Sequence, residues 1–145
     1  MTVSVHFRTR APAGARALVP ALKKAVRAAL GKRAAGEVGV ILENDAGIRR
    51  LNRRFLSRTG TTDVIAFNHS VPALRTPGVP AFPLGDIYIC LPQARRQAEL
   101  MGHGLATELL ILAVHGALHL SGMDDASPPE RRAMNRKTLR LLRDL

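Results

Sequence analysis

Two histidines lie four residues apart in the most apolar segment of the chain. Residues 105–121 are apolar almost throughout, which predicts a helix buried in the centre of the fold, with His115 and His119 one turn apart on one face. Gly122 can end this helix and turn the chain back toward the two imidazoles. His115, His119 and Asp125 then supply three metal ligands and leave a fourth position for water, an arrangement typical of a catalytic zinc site.

The same segment allows other interpretations. The two histidines are core residues in one of them, each satisfied by a hydrogen bond, but burial of two imidazoles leaves two polar nitrogens to satisfy, and this cost favours metal binding. Asp124 is the alternative third ligand. Metzincin proteases share the spacing, but they need a glutamate directly after the first histidine as general base, and Gly116 stands there. A metzincin-like metallopeptidase is therefore the weaker alternative.

The charge of the chain is strongly positive and unevenly distributed. Lysine and arginine number 22 against 11 aspartates and glutamates, and 13 of the basic residues but only 3 of the acidic ones lie within residues 1–60. This excess indicates a polyanionic partner, with nucleic acid ahead of an anionic membrane surface, although an arginine-rich composition alone gives the same bias. The chain has no tryptophan, one tyrosine and four phenylalanines, so we expect phosphate contacts rather than base stacking to dominate RNA binding.

Composition excludes several classes of protein. With 46% hydrophobic and 23% charged residues over 145 positions, the chain has the composition of one globular domain. The single cysteine, Cys90, lies in an apolar run, which predicts a buried thiol and excludes cysteine-rich zinc sites. No apolar run reaches membrane-spanning length, and the N-terminal segment lacks a continuous apolar core. We therefore expect a soluble cytoplasmic protein that is not bound to a membrane.

The remaining pattern predicts one α+β domain over residues 1–145, in which a mixed four-stranded sheet packs with about five helices. Alternating apolar residues predict strands at Val3–Phe7, Val38–Leu42, Val64–Phe67 and Asp86–Leu91. Helical spacing and end signals predict helices over 20–30, 45–56, 92–102, 105–121 and 128–143. Four prolines within 68–83 predict a long loop there.

The segment HGALHLSGMDD, residues 115–125, resembles the signature H-G-x-L-H-L-x-G-(Y/F)-D-H of the YbeY-type rRNA maturation factors, which are zinc-dependent endoribonucleases of bacteria. Residues 51–67 are similar to the family's L-N-x-x-(Y/F)…P-T-D-V-L-S-F segment, and Gly85–Ile87, Gln93–Ala94 and Met134 also match. The resemblance covers most of residues 38–140. It implies an α+β fold, one zinc ion per chain, and cleavage of single-stranded ribosomal RNA in the maturation of the small-subunit 3′ end and in ribosome quality control.

The resemblance also implies roles for particular residues. Zinc would lower the pKa of bound water and polarise a phosphate oxygen. By its proximity alone, Asp124 is the candidate for orienting that water or a ligand imidazole. Asp63, in the matched T-D-V segment, is a candidate supporting residue, and capping the turn before the third strand is its alternative role. The candidate RNA-binding residues are four arginines, for which a solvated helix face is the alternative: Arg50, Arg53, Arg54 and Arg58.

The chain departs from the family pattern in ways that leave a second function open. Asp125 stands where the family has its third histidine, Leu56 where it often has arginine, Thr61 where it has proline and Ala66 where it has serine. A carboxylate is an acceptable zinc ligand at ~2.0–2.2 Å, so the metal site itself is retained. The alternative is a non-catalytic, zinc-stabilised assembly factor that binds the ribosome or its RNA.

Overall fold

In the part of the chain that the structure describes, the sheet has four strands, and the last of them in the sequence lies between the second and the third. The structure is a computed structural model that describes residues 1–31, 36–56, 60, 62–68 and 83–145. Its strands are β1 (Thr2–Phe7), β2 (Glu37–Glu43), β3 (Val64–Asn68) and β4 (Pro83–Cys90). Strands β1, β2 and β4 are parallel, and the edge strand β3 runs antiparallel to β4. The mixed four-stranded sheet predicted from the sequence is confirmed.

Five α-helices surround the sheet within the described residues. They are α1 (Val19–Leu30), α2 (Asp45–Phe55), α3 (Leu91–Met101), α4 (Leu105–Leu120) and α5 (Pro128–Arg143). Asn44 caps α2 by accepting a hydrogen bond from the Gly47 amide at 2.8 Å. Ser127 and Glu130 form a capping box at the start of α5, as their spacing predicts. Because capping residues such as Asn44 and Ser127 mark the helix starts in the sequence, the predicted starts of α2 and α5 match those in the structure.

The two faces of the sheet bury different elements. Val40, Ile87 and Ile89 are fully buried on one face in the main core, which they share with α1 and α4. Ile65 and Cys90 alternate with those residues, so they lie on the opposite face, where they pack with Ile48 of α2. Helices α2 and α4 therefore cover opposite faces of the sheet, and the edge strand β3 is in contact with both.

The predicted and observed elements differ mainly at their ends. Leu91 was expected to end β4 and instead begins α3, and a 3-10 helix at Ala15–Leu18 precedes α1. The predicted proline-rich loop lies outside the described residues over 69–82, while Asn68 belongs to β3 and Pro83 to β4. Among the described residues no single helix is long and apolar enough to cross a membrane; only α3 and α4 together, bent by 115° at their junction, reach that length and composition.

Candidate metal centre

A tight turn after α4 brings the metal-ligand candidates together. Gly122 has a φ of 104°, a left-handed conformation that glycine adopts without strain. The Gly122 amide donates to the His119 carbonyl and the Met123 amide to the Leu118 carbonyl, both at 3.0 Å, which is the hydrogen-bond pattern of a Schellman motif. The chain therefore reverses directly behind the helix, and Asp125 returns to the two imidazoles as the sequence predicts.

The three donor atoms lie within a few tenths of an ångström of the spacing of ligands around one metal ion. The Nε2 atoms of His115 and His119 are 3.1 Å apart. Asp125 Oδ2 lies 3.2 Å from His115 Nε2 and 3.6 Å from His119 Nε2. Tetrahedral bonds of about 2.0–2.2 Å place neighbouring ligand atoms roughly 3.3–3.6 Å apart. His115, His119 and Asp125 could therefore hold a single metal ion, and their nitrogen and carboxylate donors are ones that zinc accepts.

The surroundings of the imidazoles keep their Nε2 atoms available as ligands. His119 Nδ1 lies 3.1 Å from the Met123 carbonyl, which only accepts, so this nitrogen carries the proton and donates. Burial and the neighbouring His119 lower the pKa of His115, against the opposing effect of Asp125 and Asp63. A neutral imidazole is the form that binds a metal ion, so both effects favour coordination.

The structure places Asp124 and Asp125 in different surroundings. Among the described residues, Asp125 joins the two histidines in a group whose donor atoms lie within 4.8 Å of one another, and that group does not include Asp124. Asp124 is exposed, and its Oδ1 accepts a hydrogen bond from the Asp125 amide at 2.8 Å. Arg131 of α5 also holds this turn, since its guanidinium donates to the carbonyls of Asp125 and Ala126 at 3.4 Å. The catalytic role of Asp124 stays a prediction.

The structure shows Asp63 in its capping role, and its supporting role at the metal site stays a prediction. Its Oδ1 accepts from the Val64 amide at 2.8 Å, which caps the turn before β3. Burial and His119 lower the pKa of His115, and the negative charge of Asp63 acts in the opposite direction. Gln97 of α3 donates to Asp63 Oδ2 at 3.4 Å and so helps to fix the side chain.

A buried polar network behind Asp63 was not anticipated from the sequence. Glu108 is only 5% exposed, although it lies in the apolar helix α4. Its two oxygens contact Gln97 Nε2 at 2.8 Å and His103 Nε2 at 2.6 Å, and Gln97 also reaches Asp63. The sequence contained one indication of this network, because Glu108 lies two turns before His115 in a mostly apolar helix. Its partners could not be inferred, because they depend on how α3 meets α4.

The candidate RNA-binding arginines line a groove beside α2. The groove has a volume of about 490 Å³, and its lining includes Arg8, Arg50, Arg53 and Arg54. All four are exposed. Arg58 lies outside the described residues. The structure thus brings three of the four predicted arginines to one surface and adds Arg8, which the sequence did not single out.

The fold and the site together define a small α+β domain in which a buried helix and the turn after it supply three candidate metal ligands. The chain belongs to the family described as Endoribonuclease YbeY, whose profile matches residues 8–145. Endoribonuclease YbeY of Elusimicrobium minutum is 42% identical to it over 144 residues, covering 98% of both chains. The Thermus thermophilus protein of that name is 40% identical over 142 residues, covering 97% of this chain and 98% of the relative. The solution structure of TM1509 from Thermotoga maritima matches with a TM-score of 0.62 at 26% identity, covering 96% of this chain and 85% of that one.

Proposed function

We propose that this protein is a zinc-dependent endoribonuclease that cleaves single-stranded ribosomal RNA during maturation of the small-subunit 3′ end. The main support is the group formed by His115, His119 and Asp125, whose donor atoms converge at zinc-ligand spacing in a chain of the endoribonuclease YbeY family. The ribosomal substrate, a role in ribosome quality control, the association with the small subunit and the cytoplasmic location rest on the sequence resemblance.

The chain's own residues divide the chemistry among them. His115, His119 and Asp125 would hold the ion, and the His119–Met123 hydrogen bond keeps the second imidazole in its ligand tautomer. A zinc ion held there supplies a Lewis acid that activates water and polarises a phosphate oxygen. Asp63 provides a negative charge that acts on His115, and Asp124 is the candidate for orienting the attacking water. Arginines of α2 bind the phosphates of the substrate strand.

Two measurements test this proposal. Elemental analysis of the purified protein is expected to give about one zinc per chain, with loss of zinc in His115→Ala and in His119→Ala. Full metal occupancy in the double variant would place the metal elsewhere. A single-turnover assay on a small-subunit rRNA precursor is then expected to show cleavage that stops when a chelator removes the metal.

The same pair of measurements separates the alternative function. A chain that holds zinc and binds the precursor without cleaving it would be a zinc-stabilised assembly factor rather than an enzyme. Cleavage that continues undiminished in zinc-free protein would exclude the metal from the reaction. The zinc content must therefore be measured on the same samples that enter the cleavage assay.

A further inference from the structure

Three of the five aromatic residues in the chain gather on the face of the sheet covered by α2. The Phe55 and Phe67 ring centroids are 5.4 Å apart, and those of Phe67 and Tyr88 are 5.8 Å apart, both in edge-to-face geometry. Phe67 and Tyr88 are half-buried and pack against Ile48, Ile65 and Cys90. Phe55, at the end of the row, is 56% exposed. Phe67 packs against one edge of the Phe55 ring, while more than half of the Phe55 surface faces solvent.

The groove next to Phe55 carries an uncompensated positive charge. Arg50, Arg53 and Arg54 line it, and within the described part of the chain no carboxylate forms an ion pair with any of them. The acidic member of the lining, Glu43, has a side chain only 7% exposed and lies 3.9 Å from Arg8. The exposed surface of the groove therefore combines three guanidinium groups with the ring of Phe55.

We infer that this groove and Phe55 form a binding surface for single-stranded RNA, in which a nucleobase stacks on the Phe55 ring and the arginines contact the adjoining phosphates. A positive groove that follows the backbone, together with aromatic rings for the bases, is the general design of single-strand binding sites. The inference rests on the proposed function, since RNA is the ligand in both. It goes further by identifying the surface on which the RNA lies and the side chains that bind it.

The Arg54 guanidinium currently lies over the Phe55 ring, 5.3 Å from its centroid. An exposed cation–π contact of this kind contributes about 0.5–1 kcal/mol, whereas stacking of a base on an aromatic side chain contributes ~1–3 kcal/mol. A base can therefore displace the guanidinium, which then becomes free for a phosphate. Because Phe67 already fixes the ring, stacking loses little side-chain entropy.

The surface is connected to the metal centre through the edge of the sheet. Phe67 belongs to β3, and Val64 at the start of this strand packs against Gly116 of α4, the residue after His115. Asn52 of α2 donates to the Gly60 carbonyl at 2.7 Å, so the helix that lines the groove is tied to the segment leading to Asp63. An RNA bound in the groove therefore has to pass around β3 to reach the candidate metal ligands, because α2 and α4 lie on opposite faces of the sheet.

The test is direct binding of an unstructured RNA of about eight nucleotides with one 2-aminopurine, whose fluorescence is quenched by stacking. The probe is checked on a gel to be intact after each titration. We expect Phe55→Leu to weaken binding by ~5- to 100-fold, the equivalent of one lost stacking contact, and to abolish the quench. Phe55→Tyr is expected to retain both. Leu139→Ala is the matched control, since Leu139 is a similarly exposed apolar residue on α5.

Loss of an arginine is expected to affect the binding measurements differently from loss of the Phe55 ring. Arg50→Gln is expected to preserve the quench and to lower the salt dependence by ~0.7 in slope, the value for one phosphate contact on a single strand. Wild-type affinity and quench in Phe55→Leu would overturn the inference, and RNA cleavage by the wild type would leave the proposed function standing in that case. A wild-type protein that neither binds nor cleaves RNA would overturn both. Thermal unfolding of each variant checks that the fold is retained.

Discussion

Asp125 must reach the same place as the histidine of the family signature with a shorter side chain. The turn at Gly122 makes this reach possible, because it returns the chain to within 3.2 Å of His115. We expect Asp125→Ala to lower zinc affinity far beyond the ~10–100-fold of a supporting residue, since only two ligands remain. Asp125→His restores the family ligand and is expected to retain zinc. Zinc affinity can be measured by competition with a chromogenic chelator.

Asp124→Ala is the control for the ligand assignment. Because the Asp124 carboxylate contacts the Asp125 amide rather than the imidazoles, we expect zinc to remain bound in this variant, with at most a modest loss of affinity. If Asp124→Ala loses the metal and Asp125→Ala keeps it, the assignment of the third ligand is wrong by one residue.

Cys90 is buried, as its apolar surroundings predict, and its thiol forms a hydrogen bond with the first residue of α2. The thiol donates to Asp45 Oδ1 at 3.3 Å, and burial raises the pKa of Cys90 to about 11. A raised pKa keeps the thiol protonated at neutral and mildly alkaline pH, and the thiolate is the reactive form. We therefore expect no alkylation by iodoacetamide at pH 8 in the native protein and full alkylation in denaturant. Rapid modification of the native protein would contradict the burial.

At the scale of the elements, Gly116 sets the distance between α4 and the sheet. A Cβ atom at this position would lie 2.6 Å from Ile87 Cγ2 and 3.3 Å from Val64 Cγ2, both belonging to β-branched residues. We expect Gly116→Ala to reduce the free energy of unfolding by about 1–3 kcal/mol, as other overpacked cores do, and to displace the histidines on either side. Chemical denaturation together with zinc titration measures both effects.

Gly104→Ala is the matched control for this packing effect. Gly104 precedes the same helix, has an ordinary φ of −75°, and has no atom within 4 Å of a built Cβ. Its replacement is expected to lower the free energy of unfolding by about 0.5–1 kcal/mol, because alanine is a poorer N-cap residue than glycine. Equal losses in the two variants would show that contact between a Cβ at position 116 and the sheet does not explain the effect.

The elements were predictable where their signals are local. The caps of α2 and α5, the apolar run of α4 and the alternation in β1 are each contained in a few neighbouring residues, and the structure has all of them. The metal-ligand group was predictable for the same reason, because one helix and one turn build it. The Glu108–Gln97–Asp63 network was not, because it joins α3, α4 and the start of β3. The contacts among Phe55, Phe67 and Tyr88 were not predictable either, since the three rings come from separate elements.

At the scale of the whole molecule, a net charge of +11 attracts any polyanion, and the question is whether one face binds it. Helices α2 and α5 allow a comparison at constant charge. We expect the triple reversal of Arg50, Arg53 and Arg54 to glutamate to weaken single-stranded RNA binding strongly and to lower the salt slope by about two, at ~0.7 for each lost phosphate contact. Affinity is measured by fluorescence anisotropy between low and physiological salt.

The matched variant reverses three exposed arginines on α5, Arg132, Arg136 and Arg140, and so removes the same charge from a different helix. Long-range attraction falls equally in both variants, because it depends on the total charge and is screened over about 8–10 Å at moderate salt. Only loss of direct phosphate contacts separates them, so the α5 variant is expected to bind more weakly by a small factor and to keep most of its salt slope. Equal losses would mean that the arginines of α2 are a solvated face and that net charge alone attracts the RNA. If only the α2 variant loses RNA affinity, the RNA lies beside Phe55, on the face of the sheet opposite α4. The RNA must then pass around β3 to reach the metal ligands and be cut.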